Sequence, residues 1–329
     1  MMRYVITGAA GFIGSRLAAA LNRSGISEIL AVDDLSDGAN AKNLYALEIE
    51  DYMDKSEFLA RLSTGNFDGT VEAVLHQGAC TDTLQSDGKF MMENNYAYSK
   101  ALADWCQDEE VPLIYASSAS VYGAGPGFAE ERENERPLNV YAYSKFLFDQ
   151  YVRRAAAPGA VQVAGLRYFN VYGPNEAHKK LRKMHSIALQ AYEQFRAKGC
   201  VELFAGSDGF GDGGQRRDFI HVDDAVAVNL WLLENRDVSG IFNCGTGRAQ
   251  TFNEVAAAVI NTVNGASDPV EALVGRGLIR YIPFPPQLVG KYQSNTEADL
   301  SRLRAAGCTH EFMSVQQGVA AYVRELSQA

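Results

Sequence analysis

The chain has 329 residues, 47% of them hydrophobic and 21% charged, the balance of a folded protein long enough for about two domains. Forty Asp and Glu against 30 Lys and Arg leave a formal charge of -10, which argues against binding to nucleic-acid phosphates or to an anionic membrane surface. No apolar run approaches the roughly 20 residues of a membrane span, and no Cys-x-x-Cys or His-x-x-x-His pair offers a metal site. The five dispersed cysteines (Cys80, Cys106, Cys200, Cys244 and Cys308) fit reduced thiols and a cytoplasmic location.

Short apolar runs alternate with helical patterns through the first half. Residues 4–7 predict a strand and 12–23 an amphipathic helix. Residues 28–33 and 71–76 predict further strands, and a helix runs from about 95 to 106. Then come a strand at 113–117, a helix at 141–154 and a strand at 161–167. Strands separated by helices of this length predict right-handed βαβ units and a doubly wound parallel sheet, an α/β fold. After Pro174 the rhythm changes. Helices are predicted at 186–198, 223–234, 252–263, near 298–306 and near 315–327, with a polar Gly/Asp-rich loop at 207–215 and a Pro-rich turn at 283–286. The expected organisation is a dinucleotide-binding domain over 1–172, rejoined by roughly 218–245. A smaller mixed α/β substrate domain is expected from 173–217 and 246–329.

Gly8-Ala9-Ala10-Gly11-Phe12-Ile13-Gly14 closes the first strand and opens the first helix. Gly8 permits a sharp turn, Gly11 lets backbone approach a pyrophosphate, and Gly14 lets helix and strand pack closely. The helix N-terminus offers amide donors to phosphate. Asp33, at the end of the second strand, is placed for a ribose 2′-OH. Asp34 beside it adds negative charge where a 2′-phosphate would lie, which favours NAD on electrostatic grounds; its alternative role is a solvated loop acid.

Tyr141 and Lys145 are spaced Tyr-x-x-x-Lys, about one helical turn, so they share a face. A nearby ammonium stabilises a phenolate, making Tyr141 a candidate general base for a hydroxyl being oxidised. Ser118 follows the fourth predicted strand, at the C-terminal end of the parallel sheet where ligands gather, and is placed to hold the substrate oxygen.

With these motifs the chain resembles the extended short-chain dehydrogenase/reductase family. The matching residues are Gly8, Gly11, Gly14, Asp33, Ser118, Tyr141 and Lys145. The stretches from Arg167 to Pro174 and from Arg217 to Asp224 match as well. The resemblance implies a Rossmann-type domain followed by a domain that binds a nucleotide sugar. Dehydratases of the family carry an Asp-Glu pair after the serine. Here those positions are Ala119 and Ser120, which disfavours elimination of water. Further stretches are similar to the family's epimerases acting at C6 of an ADP-linked heptose, in lipopolysaccharide inner-core synthesis. They include Met91-Met92-Glu93-Asn94-Asn95-Tyr96, Gly245-Thr246-Gly247-Arg248-Ala249 and Tyr281-Ile282-Pro283-Phe284-Pro285.

That resemblance implies inversion by transient oxidation to a ketone and re-reduction on the other face. A second acid/base group is then needed, and the position that matches is Lys179. Read from residues alone, Lys179 could equally belong to a solvated basic run or clamp a diphosphate. Cofactor-contacting positions carried over are Phe12, Ile13, Lys55, Gln77, Gly78, Ala79, Asn94, Tyr141, Lys145, Val171 and Lys179; Asp34 and Asn40 occupy cofactor-loop positions where the family often carries Asn and Lys, with Lys42 close by. Lys55 as a plain surface lysine is the alternative. Substrate-contacting positions are Ser118, Asn170, Phe204, Ala205, Gly206, Ser207, Arg217 and Tyr292. A guanidinium at Arg217 suits a diphosphate, with an ion pair to Asp218 or Asp223 as its alternative. The resemblance implies NADP, with NAD also able to serve, and a homo-oligomer, pentameric in the most similar members. The competing readings are a UDP-sugar 4-epimerase and a non-catalytic NADP(H) sensor.

Overall fold

The computed structural model describes the chain except residues 1, 37, 156–158, 183, 287–292 and 329, and the side chains of 180–182. In chain order the strands are β1 (Arg3–Thr7), β2 (Ile29–Asp33), β3 (Asp51–Asp54), β4 (Val71–His76), β5 (Leu113–Ser118), β6 (Val163–Tyr168), β7 (Asn170–Tyr172), β8 (Val201–Phe204), β9 (Arg216–His221), β10 (Gly240–Cys244), β11 (Ala249–Thr251) and β12 (Ile279–Ile282). The helices are α1 (Phe12–Arg23), α2 (Lys55–Leu62), α3 (Gly88–Met91), α4 (Tyr98–Asp108), α5 (Val140–Ala155), α6 (Ile187–Lys198), α7 (Val222–Glu234), α8 (Phe252–Asn264), α9 (Val270–Gly275), α10 (Ser301–Ala305) and α11 (Val315–Gln328). They divide into two compact units. The first comprises Met1–Tyr168, Val226–Asn243 and Ser301–Thr309; the second comprises Phe169–Ala225, Cys244–Leu300 and His310–Ala329.

The first unit is built on a seven-stranded sheet in the order β10-β6-β5-β4-β1-β2-β3. The pairs β1–β2, β1–β4, β2–β3, β4–β5 and β5–β6 are parallel. Val5, Ile6, Leu30, Val32, Val74, Leu75, Leu113 and Ile114 are all buried. Such unbroken apolar runs, rather than alternating ones, belong to strands covered on both faces. Strand order reverses between β1 and β4, and the crevice beyond the C-terminal ends of a sheet at such a reversal is where ligands bind. Helix α1 turns Leu17, Ala18 and Leu21 inward together with Ser15, whose hydroxyl donates to the Gly11 carbonyl at 2.7 Å.

The second unit holds two small sheets. In one, β9 pairs parallel with β7 and antiparallel with β11; in the other, β8 pairs parallel with β12. Their core is shared by α6, α8 and α11, and α8 buries Val255 through Ile260 almost without interruption. That helix starts at a capping box, Thr251 with Glu254, which satisfies amides that would otherwise be orphaned inside the fold.

Several elements differ from expectation. The helix expected from about 95 begins earlier, at Gly88, and runs through a π-helical stretch over Met92–Ala97 before α4. Asn94 and Asn95, poor helix formers, lie in that stretch, where the backbone bonds widen to the i→i+5 spacing. Strand β3 and helix α2 were not expected, because Asp51-Tyr52-Met53-Asp54 is too polar to read as a strand. Strand β9, expected in part with the first domain, pairs only within the second unit. Residues 301–309, expected with the second domain, fall in the first. Helix α10 is shorter than the expected 298–306, since the Ala298 amide is drawn off to the Asp218 carboxylate at 3.0 Å. Among the described residues no helix is long and apolar enough to cross a membrane, and no cluster of His, Cys, Asp and Glu is placed to hold a metal.

Candidate functional site

The turn after β1 is shaped by its glycines. A Cβ on Gly14 would lie 2.1 Å from the Gly8 carbonyl oxygen, and one on Gly8 would lie 2.7 Å from the Gly78 nitrogen. Gly8 also sits at φ +66°, a left-handed conformation that glycine adopts without strain. The N-cap of α1 is Gly11, which has no side chain to occupy the first-turn amides, and that turn carries no acid. This is the arrangement a pyrophosphate requires: a close backbone and a helix N-terminus aimed at it. Phe12 and Ile13 open the same helix.

Asp33 lies where expected, at the end of β2, and its carboxylate is already used. It accepts the Ala10 amide at 2.7 Å and the Asp34 amide at 2.7 Å. Burial raises its pKa against those bonds. Asp34 is not a bare charge. Its carboxylate lies 3.1 Å from the Lys55 ammonium, which also donates to Asn94 Oδ1 at 3.0 Å. Bonds from Ser36, with Lys55 adding to them, hold Asp34 down at about 2. So Asp34, Lys55 and Asn94, far apart in sequence, come together. Asn40 Oδ1 is buried on the same side of the fold without a protein partner, and Asn43 ties the stretch to the Ala10 carbonyl at 2.9 Å.

Gln77, Gly78 and Ala79 follow β4. Gln77 is held by Tyr168, whose hydroxyl donates to Oε1 at 3.0 Å, and it donates to Asn229 at 3.3 Å. The Gly78 amide donates to Thr7 Oγ1 at 3.1 Å, and Thr7 is 2.6 Å from His76 Nδ1. Ser99 Oγ, 2.8 Å from His76 Nε2, donates its own proton to the Asn95 carbonyl, so the imidazole proton is assigned to Nε2 and Nδ1 accepts from Thr7. Burial, with Lys145 nearby, drives the His76 pKa down to about 3, so the ring is neutral.

Ser118 ends β5, and Tyr141 and Lys145 lie on α5. The Ser118 hydroxyl is hydrogen-bonded to the Tyr141 phenol, which favours the phenolate, but burial still raises the Tyr141 pKa. The expected lowering of Tyr141 by Lys145 is not what governs the free protein. The buried Lys145 ammonium donates instead to the Ala116 carbonyl at 2.8 Å, and burial lowers its pKa to about 8. Ser120, one of the residues standing where dehydratases carry acids, donates its hydroxyl to Ser118 at 2.9 Å.

Sequence reasoning missed Asn95. Its side chain bonds both the amide and the carbonyl of Cys80 (2.8 and 2.9 Å) and reaches Ser144 at 3.2 Å, next to Lys145 in the chain. The sequence signal was the Asn94-Asn95 pair inside an otherwise helical pattern. Below it, Asp149 accepts Tyr115, Ser117 and Arg167 at 3.0, 3.0 and 2.9 Å; Arg167 also pairs with Glu135.

In the second unit, burial lowers the pKa of Lys179, and the Glu176 carboxylate opposes that shift. Asn170 and Val171 lie on β7, opposite Phe219 and Ile220 of β9. Phe204 ends β8, edge-on to Phe284 at 5.6 Å. Ala205, Gly206 and Ser207 form the turn that follows, closed by Asp212 on the Gly206 amide (2.8 Å) and by Gln215 on Ala205 O (3.0 Å) and Ser207 Oγ (3.1 Å). Arg217 is buried, its guanidinium 5.8 Å from the Phe252 ring centre and donating to Arg216 O at 2.8 Å. Asp218, one of its expected ion-pair partners, spends its carboxylate on Thr246, Gly247 and Ala298. Tyr292 lies outside the described residues.

The profile of the NAD dependent epimerase/dehydratase family matches residues 4–245. An ADP-L-glycero-D-manno-heptose-6-epimerase of Thiobacillus denitrificans is 53% identical over 99% of this chain and 98% of its own length. The crystal structure of the Helicobacter pylori ADP-L-glycero-D-manno-heptose-6-epimerase superposes with a TM-score of 0.81 at 26% identity, covering 100% of this chain and 97% of that one. A Thermus thermophilus UDP-glucose 4-epimerase in complex with NAD gives 0.76 at 26% identity, with both chains fully covered.

Proposed function

The chain belongs to the NAD dependent epimerase/dehydratase family, and from that premise we propose that it converts ADP-D-glycero-manno-heptose to the L-glycero epimer at C6, in lipopolysaccharide inner-core precursor synthesis. The observation that carries the proposal is the Ser118–Tyr141 hydrogen bond above a buried Lys145, in a chain 53% identical throughout to an enzyme of that name. Ala119 and Ser120 in place of an acid pair support epimerisation over dehydration.

A bound nicotinamide dinucleotide supplies the acceptor and donor of two electrons, and its oxidised ring adds a positive charge. Gly8, Gly11 and Gly14, with Phe12 and Ile13, would hold its pyrophosphate, and Asp33 its ribose. Tyr141 exchanges a proton with the C6 oxygen while C6 passes between alcohol and ketone, and Ser118 fixes that oxygen. Lys145, which donates to the Ala116 carbonyl in the free protein, would help hold the cofactor's ribose. When the ketone presents its other face, its oxygen has moved, so a second group must exchange the proton there. Lys179, with its lowered pKa, is suited to that task.

We infer NADP as the preferred form, with NAD also accepted. Supporting this, Lys55 pairs with Asp34 and so offsets one of the two adjacent carboxylates that a 2′-phosphate would meet. Arg217 and the 204–207 turn would meet the sugar nucleotide. A homo-oligomer, pentameric by resemblance, and a cytoplasmic location complete the proposal.

The test is to incubate the protein with ADP-D-glycero-manno-heptose and follow the C6 proton by NMR. Conversion to a mixture of epimers is expected, with no turnover of UDP-galactose. An unchanged D-glycero signal would sink the reading, and turnover of UDP-galactose instead would favour the 4-epimerase. Tyr141→Phe should retain nucleotide and lose about 10²–10⁴ in kcat.

A further inference from the structure

The basic turn between Gly173 and Ser186 carries Lys179, and its sequence is rich in like charges that do not hold a turn together. What closes it is a carboxylate. Glu176 is 0% exposed. Its Oε1 accepts the Gly173 amide at 3.2 Å and the Ser186 hydroxyl at 2.7 Å, and its Oε2 accepts the Ser186 amide at 2.5 Å. The Tyr322 phenol of α11 bonds the same group. One side chain thus ties both flanks of the turn to each other and to the core. Within the turn, Lys179 donates its amide to Glu176 O at 2.9 Å and accepts the Met184 amide at 3.1 Å, so its backbone is fixed from both directions.

Taking a carboxylate out of water costs on the order of several kcal/mol unless a cation lies near it, so the buried Glu176 charge calls for a cationic neighbour beside its neutral donors. We propose that Glu176 is the positioning residue of Lys179: it fixes the turn that presents the lysine and supplies the negative charge that keeps the ammonium form accessible. This rests on the reading of Lys179 as the second acid/base. The charge of Glu176 works against the desolvation that lowers Lys179. The Tyr322 phenol that bonds this carboxylate also feels the charges of Glu325 of α11 and Glu193 of α6, and His185 lies 4.0 Å from Glu193. Glu176 both bonds the turn and acts on Lys179.

The experiment compares Glu176→Gln, Glu176→Asp, Ser186→Ala and Lys179→Met in the full-length, nucleotide-loaded protein. Melting temperature and nucleotide content serve as folding controls, and kcat/KM is followed against pH. Glu176→Gln should lose roughly tenfold or more in turnover and move one ionisation limb to lower pH by about one unit. Glu176→Asp keeps the charge and should restore the limb while recovering only part of the rate. Ser186→Ala loosens the turn with the charge intact, so rate falls and the limb stays. These two variants decide the matter if Glu176→Gln fails to fold. A folded Glu176→Gln with the parent's rate and pH profile, beside an inactive Lys179→Met, overturns this proposal and leaves the role of Lys179 standing. Full turnover by Lys179→Met overturns both.

Discussion

Gly14→Ala should dismantle the cofactor cradle while leaving most of the protein folded. The added Cβ would lie 2.1 Å from the Gly8 carbonyl oxygen and 2.8 Å from its carbon. An ordinary carbon–oxygen contact is about 3.3 Å, so the helix N-terminus and the Gly8 turn must separate by roughly 1 Å. Neither side can yield cheaply, because both are backbone. Gly8 is itself backed by Gly78, and α1 is anchored by buried Leu17 and Leu21. Overpacking of this kind costs about 1–3 kcal/mol of stability. The larger effect falls on binding, since a displacement near 1 Å moves the amides off the pyrophosphate and costs about 100-fold. Gly11→Ala brings its Cβ to 3.0 Å from the same oxygen, a conflict of only a few tenths of an ångström, and should lose about tenfold. Gly25→Ala is the control. Its Cβ meets nothing within 4 Å, but φ is +80°, so it should cost about 1–2 kcal/mol and no affinity. The assay is nucleotide released from denatured, purified protein, with titration of NADP onto stripped protein and a melting curve for each variant. Equal nucleotide content in Gly14→Ala and the parent, or a loss in Gly25→Ala as large as in Gly14→Ala, would refute the steric argument.

Three further outcomes follow from the same geometry. Removing the charge at Asp34 with Asp34→Asn releases Lys55 from its ion pair; because both are partly exposed, the ratio of NADP to NAD affinity should rise only about tenfold or less, as read by parallel titrations, and an unchanged ratio would exclude Asp34 as a determinant. Lys145 carries a pKa lowered from 10.5 to about 8, so from pH 8 to 10.5 the unfolded chain binds a proton that the folded one has released. The cost of its buried ammonium is therefore full below pH 8 and is relieved above it: relative to Lys145→Met, the parent should gain unfolding free energy between pH 8 and 10, and a pH-independent difference would contradict this. Arg167→Leu leaves Glu135 and Asp149 buried without their shared guanidinium and should destabilise by about 3–5 kcal/mol in urea titrations; a loss under about 1 kcal/mol would show that Arg153 suffices.

Sequence alone determined those features whose physics is local. The glycine turn is local because glycine adopts φ +66° at position 8 without strain and has no Cβ to meet the Gly8 carbonyl at position 14. The Tyr141–Lys145 pairing is local because one helical turn joins them, and the parallel sheet follows from apolar runs alternating with helices. Tertiary structure decided whatever depends on partners distant in the chain. Strands β7, β9 and β11 have three to six residues and exist through pairing with one another, so no periodicity announces them. Residues 301–309 join the first unit because contacts, not sequence order, assign them. The charge of Asp34 changes meaning only when Lys55 and Asn94 are brought beside it. Tyr141 is governed by burial and Ser118 because Lys145 turns to the Ala116 carbonyl, a strand that sequence spacing does not reveal. Asn95 and Glu176 look like ordinary polar residues until the fold surrounds each with donors or acceptors that have nowhere else to bond. Hydrogen bonding inside a low-dielectric interior is decided by which groups meet there, and that meeting is a property of the folded chain.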